Sequence, residues 1–293
     1  MPYTRSIDAV VNLWTDEVQS HRPAWRDSFF RDKMRVDGET AKGISIDEML
    51  RRMDRAGIEY SFLIAPKVGR LGHSSTWHLP YEVVLKAVKQ HPDRFFGLAG
   101  IDPTEGMKGV WEFQRAVEEY GFVGAHGYPH WFEIAPDAAR WYPFYAKCIE
   151  LDVPVQLQVG QSMVYAPDYP CRSVGRPITF DSIACDLPEL KLVGIHVGIP
   201  WTEEMIAMAW KHKNVFIGSD AHGPKYWPQS FVNYINTYGQ DKVIFGTDFP
   251  VLDFERTVTD IKSLGLREVP AKKFMRNNVI KLYKLDERGV PLL

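Results

Sequence analysis

Eight short apolar runs rich in β-branched and aromatic residues, helical patterns between them, and a length of 293 residues that suits one large core predict an α/β fold. The specific form is a single (β/α)8 TIM barrel with a long insertion after strand one. The predicted strands cover 7–13, 60–65, 94–100, 122–126, 153–159, 190–196, 215–218 and 242–247. Alternating βα units build a parallel sheet, and eight of them close it, so one domain over residues 1–293 is expected.

Helical patterns fall at 45–56, 81–91, 110–120, 136–151, 203–212 and 228–238, with 253–263 after the last strand; the segment before Pro188 has no clear pattern. Ser45 followed by Glu48 reads as a capping box that opens the first helix, and Gly57 is placed to stop it. The insertion, 14–43, carries His21, Pro23, Trp25, Phe29 and Phe30. Connections that follow barrel strands lie over the mouth, so these aromatics are expected either to form a lid or to pack on the barrel or on a second subunit. A second long mouth connection, 160–177, is rich in Tyr, Pro, Arg and Gly.

A hydrophobic content of 45% with 25% charged residues excludes a disordered chain, and a net charge of -2 gives no broad attraction to nucleic acid or to an anionic membrane. A small-molecule substrate is the expected partner. Cys148, Cys171 and Cys185 are too few and too scattered for a disulfide framework or a cysteine zinc site. With no apolar run of about 18 residues and no leader pattern, a soluble cytoplasmic protein is expected.

Catalytic groups of such barrels sit where strands end. Those positions hold Asp8 and Asn12 on strand one, His126 with Tyr128 and His130 after strand four, and Gln158 on strand five. They continue with His196 on strand six, Ser219, Asp220 and His222 on strand seven, and Asp248 on strand eight. His126, Tyr128, His130 and His222 are candidates for orienting a substrate, although buried histidines also serve as structural residues. Asn12 and Gln158 can hydrogen-bond a carbonyl or hydroxyl. An anionic substrate would call for a cation on a mouth loop, and Arg172, Arg176, Lys67 and Arg70 are available. Arg172 is included in the expected substrate site. Neither a Gly-rich phosphate loop nor a Gly-x-Ser-x-Gly elbow is present.

In order along the chain, Ile7-Asp8-Ala9, Gly124-Ala125-His126, Pro154 to Gly160, His196-Val197-Gly198, Phe245-Gly246-Thr247-Asp248-Phe249-Pro250 and Asn278 to Tyr283 form a recognisable series. The series resembles the amidohydrolase-related family that includes aminocarboxymuconate-semialdehyde decarboxylase, resorcylate-type decarboxylases and 2-pyrone-4,6-dicarboxylate lactonase. The resemblance implies that His196 is a general acid or base and that Asp248 binds metal, activates water, or both. It also implies a His-x-His on strand one and a histidine on strand five as metal ligands; here those positions are Val10, Asn12 and Gln158. Valine has no donor atom and amides are weak zinc ligands, so no cofactor is expected, or at most a single divalent ion such as zinc or manganese.

The expected activity is metal-independent hydrolysis of a small cyclic ester, lactone or related carbonyl compound, with Asp248 as general base and His196 as its catalytic partner. The alternatives are non-oxidative decarboxylation of an aromatic or unsaturated acid, and a barrel that binds a ligand without catalysis. A homodimer follows from the resemblance alone.

Overall fold

In the computed structural model, which describes residues 5–23, 25–69, 76–164 and 171–293, the eight predicted strands form one parallel sheet in sequential order. They are β1 (Ser6–Asn12), β2 (Ile58–Ala65), β3 (Phe95–Gly100), β4 (Gly124–Gly127), β5 (Val155–Gln158), β6 (Leu192–Ile195), β7 (Val215–Gly218) and β8 (Val243–Ile244). Every residue of β1, β4, β5 and β6 is buried. Strands covered on both faces need no polar alternation, which is why these segments read as nearly continuous apolar runs.

The ring closes between β1 and the segment around β8. Ala9 N donates to Phe245 O at 3.0 Å, Asn12 N to Phe249 O at 2.9 Å, and Asp248 N to Val10 O at 2.8 Å. The buried Asp8 carboxylate spans the same seam: it accepts from Thr247 Oγ1 at 2.6 Å, Thr247 N at 3.0 Å and Val10 N at 3.2 Å. Asp8, a strand-end candidate by sequence, therefore has its acceptor capacity committed to structure. The last predicted strand is shorter than expected because Phe245 N turns to Phe274 O instead of continuing the ladder.

Alternate strand residues Ile7, Ala9, Phe62, Ile64, Leu98, Val193, Ile195 and Ile244 fill the barrel, joined by Val279, Ile280 and Tyr283 from the helix Asn278–Tyr283. The first helix of the repeat runs Ile46–Ala56: Ser45 Oγ accepts from Glu48 N at 3.2 Å, and Gly57, at φ 75°, ends it. Glu48 does not complete the reciprocal half of the box; its carboxylate goes to Arg51 and Arg52. The segment without a sequence pattern forms the helix Thr179–Asp186, which has no side-chain cap to announce it.

The insertion after β1 is pinned at its base, where Trp14 Nε1 donates to Thr40 O at 2.6 Å and Ile44 N to Trp14 O at 3.0 Å. It then folds back over the mouth. Trp25 stacks on Trp131 with centroids 5.1 Å apart, and Phe30 packs on Trp14 at 4.4 Å. The insertion thus packs on the barrel and covers its mouth at the same time. Lys33 Nζ reaches Met163 O on the loop after β5, so two mouth loops meet. Among the described residues no helix is long and apolar enough to cross a membrane.

Candidate active site

Strand ends deliver Asn12, His126, Tyr128, Gln158, His196, His222 and Asp248 to one cavity, roofed by Trp25, Phe29, Phe30 and Met34 from the insertion and by Met163 and Val164 from the loop after β5. The cavity measures about 80 Å³.

The floor is a cluster of three groups. His196 Nε2 lies 3.3 Å from Asp220 Oδ2 and 3.8 Å from Asp248 Oδ2. Asp220 Oδ1 accepts from His196 N at 3.1 Å, while its buried Oδ2 has no hydrogen-bond partner. Asp248 Oδ1 accepts from Asn12 Nδ2 at 2.8 Å, and the same amide nitrogen donates to Phe249 O at 3.0 Å. Both amide protons of Asn12 are thus committed, one to Asp248 and one to the Phe249 carbonyl, which leaves neither for a substrate carbonyl. Gln158 Nε2 donates to His196 Nδ1 at 3.2 Å, which places the ring proton on Nε2, facing the carboxyl groups.

Four residues of this floor have backbones in the left-handed region: His196 at φ 72°, Val197 at 59°, Ala221 at 65° and Asp248 at 57°. Such conformations cost about 1 kcal/mol or more for side chains other than glycine, most of all for a β-branched valine, and persist only where surrounding structure dictates them. Here they turn the ends of β6, β7 and β8 inward.

Burial sets the charge states. It pushes the Asp220 carboxyl up to about 7, and burial together with the Asp220 charge raises Asp248 well above the carboxylate range. It holds His196 well below the usual imidazole value, with the nearby rings of His222, His126 and His130 adding to the effect. His126 and His222 are each pushed down to about 4 by burial. The floor therefore combines neutral imidazoles with carboxyl groups that hold protons near neutral pH, the composition of a site that donates protons.

His126 is oriented from inside the barrel. Gln156 Nε2 donates to Ala9 O and to Tyr283 Oη, so its Oε1 accepts from His126 Nδ1 at 2.9 Å and leaves the buried Nε2 as an unpartnered acceptor. His130 does not line the cavity; its Nδ1 accepts from Gly175 N at 3.2 Å and anchors the loop after β5. Arg172 is not at the cavity either. Its exposed guanidinium pairs with Glu133 at 2.7 Å. Arg176 pairs with Glu204, and Lys67 with Glu105 at 2.6 Å and Glu112 at 3.1 Å, while Arg70 lies outside the described residues.

A model of the amidohydrolase family matches residues 7–285. The chain belongs to the amidohydrolase family. Among its relatives, the gamma-resorcylate decarboxylase of a Polaromonas species is 24% identical over 294 residues, covering 82% of this chain and 87% of the relative. An uncharacterised TIM-barrel protein from Bordetella bronchiseptica superposes with a TM-score of 0.79 at 22% identity, covering 97% of this chain and 99% of that one. The 5-carboxyvanillate decarboxylase of Novosphingobium aromaticivorans, complexed with manganese and 4-hydroxy-3-methoxy-5-nitrobenzoic acid, gives 0.71 at 16% identity, covering 97% of each chain.

Two expectations change. Hydrolysis of a cyclic ester is overturned, because the relatives that match this amidohydrolase over 70% or more of its length include several gamma-resorcylate decarboxylases. The expectation of no cofactor does not stand outright, and its allowance for a single divalent ion is the part that the site supports. Although Val10 and Asn12 are poor or impossible ligands, His196, Asp220 and Asp248 offer one nitrogen and two carboxylate oxygens within 4.8 Å of one another. Two buried carboxyls side by side, one with an oxygen lacking any partner, suit a single divalent cation with a preference for oxygen ligands.

Proposed function

We propose that this amidohydrolase is a non-oxidative decarboxylase of a small aromatic acid, with Asp248 as the proton donor, held in its protonated state by burial and by the charge of Asp220. The observation that carries the reading is the floor cluster, in which a carboxyl group kept neutral by burial faces a cavity roofed by aromatic side chains. The curated relatives support the same reaction class.

The chemistry balances with groups on the chain. Asp248 gives its proton to the ring carbon that bears the carboxylate, the carbon–carbon bond breaks, and its electron pair returns to the ring as carbon dioxide leaves. One solvent proton is consumed per turnover and restores Asp248, with the Asp220 carboxyl and the His196 Nε2 proton as its nearest polar neighbours. Trp25, Phe29 and Trp131 exclude water, which strengthens the electrostatics of the transfer and keeps the acid neutral. Where a divalent ion such as manganese is bound, His196, Asp220 and Asp248 would hold it with the carboxyl groups ionised and it would supply positive charge to the substrate's carboxylate, so the donor role of Asp248 is that of the metal-free floor.

The test is incubation of the purified protein, with and without manganese, with 2,6-dihydroxybenzoate and 5-carboxyvanillate carrying a ¹³C carboxyl label. Labelled carbon dioxide and the corresponding phenol are expected in equal amounts. A wider series of hydroxybenzoates that yields no carbon dioxide under either condition refutes the reading.

A further inference from the structure

His126 meets the cavity with a nitrogen whose hydrogen-bonding character is dictated by residues that do not line it. The ring is buried, and the bonds behind it have one consistent direction. The Ala9 carbonyl can only accept, so the Gln156 atom facing it at 2.9 Å must be the amide nitrogen. That nitrogen also donates to Tyr283 Oη at 2.7 Å, and the amide oxygen is left to face His126 Nδ1 at 2.9 Å. An amide oxygen accepts, so the ring proton is on Nδ1 and the lone pair is on Nε2. Among the described residues this Nε2 has no hydrogen-bond partner.

The neighbouring strand repeats the pattern. Gln158 Nε2 is given to His196 Nδ1 at 3.2 Å, and the buried Oε1 of the same amide has no partner among the described residues. His126 and Gln158, both lining the cavity from the ends of β4 and β5, thus present two lone pairs and no proton. Two lone pairs repel a carboxylate, whereas a neutral hydroxyl brings the proton they lack. A buried acceptor left unmet costs about 1–3 kcal/mol, which a bound hydroxyl recovers. His126 is not one of the three groups that could share a cation, so an ion held by His196, Asp220 and Asp248 leaves its Nε2 free. Burial, which pushes the ring down to about 4, keeps that lone pair unprotonated at neutral pH.

We infer that His126 Nε2 accepts a hydrogen bond from a ring hydroxyl of the substrate and that this bond tightens in the transition state, which makes His126 a second catalytic residue. The inference rests on the decarboxylase reading and deepens it by assigning the group that recognises the hydroxyl. When the carbon bearing the carboxylate takes up a proton, the ring gains positive charge, which an oxygen ortho or para to that carbon shares and a meta oxygen does not. The O–H bond of such a hydroxyl becomes acidic, and its proton is drawn toward Nε2. Carbon dioxide then leaves, the electron pair of the broken carbon–carbon bond returns to the ring, and the hydroxyl keeps its proton. No net proton is exchanged at His126. The bond is stronger in the transition state than in the bound acid, the condition for an interaction to accelerate the reaction.

The experiment compares acids of nearly equal size that differ in the donor: 2-hydroxybenzoate with 2-fluorobenzoate, and 4-hydroxybenzoate with 4-fluorobenzoate. Binding is read from the quenching of tryptophan fluorescence in the full chain and in its His126→Phe and His126→Gln variants. The wild type is expected to bind one of the hydroxy acids roughly 10-fold more tightly than its fluoro partner, as for a hydrogen bond to a buried acceptor. His126→Phe should lose that preference, and His126→Gln, which can present an amide oxygen in place of Nε2, should keep part of it. Failure of the wild type to favour either hydroxy acid, or an undiminished preference in His126→Phe, overturns the inference. Should His126→Phe fail to fold, as judged by circular dichroism, the imidazole ¹⁵N spectrum of the wild type decides. The His126 Nε2 resonance, assigned by its loss in His126→Gln, must move upfield with the favoured hydroxy acid and stay in place with its fluoro partner; no movement overturns the inference. For a hydroxy acid that is turned over, kcat should fall about 10²-fold in His126→Phe, and an unchanged kcat overturns the catalytic part. Because the preference is measured without turnover, failure to release carbon dioxide from any acid counts against the decarboxylase reading alone.

Discussion

In the metal-free protein, replacing Asp248 with asparagine separates proton donation from the hydrogen bonding of that residue. The amide keeps an oxygen for the Asn12 Nδ2 bond of 2.8 Å and matches the carboxyl in size, so the geometry of the floor is preserved. The nearest imidazole nitrogen is 3.8 Å from Oδ2, too far for a hydrogen bond that the substitution could break. What disappears is the acidic proton. General acid catalysis is worth about 10²- to 10⁴-fold, or about 3–5 kcal/mol in the barrier. We therefore expect kcat for labelled carbon dioxide release to fall by that factor with KM little changed. The thermal midpoint should hold or rise, because the amide removes an ionisable group that is buried beside Asp220. Deuterium incorporation at the ring carbon in D₂O, followed by NMR, should slow in parallel. A kcat within threefold of the wild type refutes Asp248 as the donor.

Acid should destabilise the protein. Burial holds His126 and His130 at about 4, below the 6.5 of an unburied imidazole, so their contribution to stability is complete above pH 6.5 and is lost as the pH falls toward 4. Each ring contributes a slope of up to about 1.4 kcal/mol per pH unit in urea unfolding across that window; an unchanged slope in His126→Gln rules the ring out as a source. Manganese binding to the chelator-treated protein, read from the EPR signal of the free ion, should approach one ion per chain and weaken by about tenfold or more in Asp220→Asn. Equal affinity in the variant removes Asp220 from the ligand set. Gly160→Ala should lower stability by about 2–4 kcal/mol. The residue sits at φ 88°, and a methyl group there would lie 2.3 Å from Ile199 O. A melting temperature within a degree of the wild type would contradict that.

His196 and Asp248 were legible because a polar residue closing an apolar strand points into a barrel mouth, whatever the rest of the fold does. Asp220 stood among the strand-end residues, but its role depends on His196, 24 residues away, and that spacing carries no local signal. The loss of His-x-His at Val10 and Asn12 suggested a site without metal ligands, whereas the donors come together from β6, β7 and β8. Arg172 was misplaced because Glu133, 39 residues earlier, holds it at the exposed rim. Nothing in the sequence announced the burial of Arg22. Arginines are usually exposed, and only the tertiary placement of Trp14 and Trp77 takes this one out of water.

The seam between β1 and the segment around β8 bears on how the chain acquires activity during synthesis. Asp8 leaves the ribosome early and Thr247 late, yet the first is buried as a charge-bearing group whose principal donors come from the second. Asn12 and Asp248 are joined across the same junction. A nascent chain that ends before β8 therefore lacks both the Thr247 donors for Asp8 and the proposed acid Asp248, and a stalled or clipped product ending there has an open sheet edge. Two fragments cut in a surface connection would regain activity only by meeting at this junction, which makes fragment complementation a direct report on its closure.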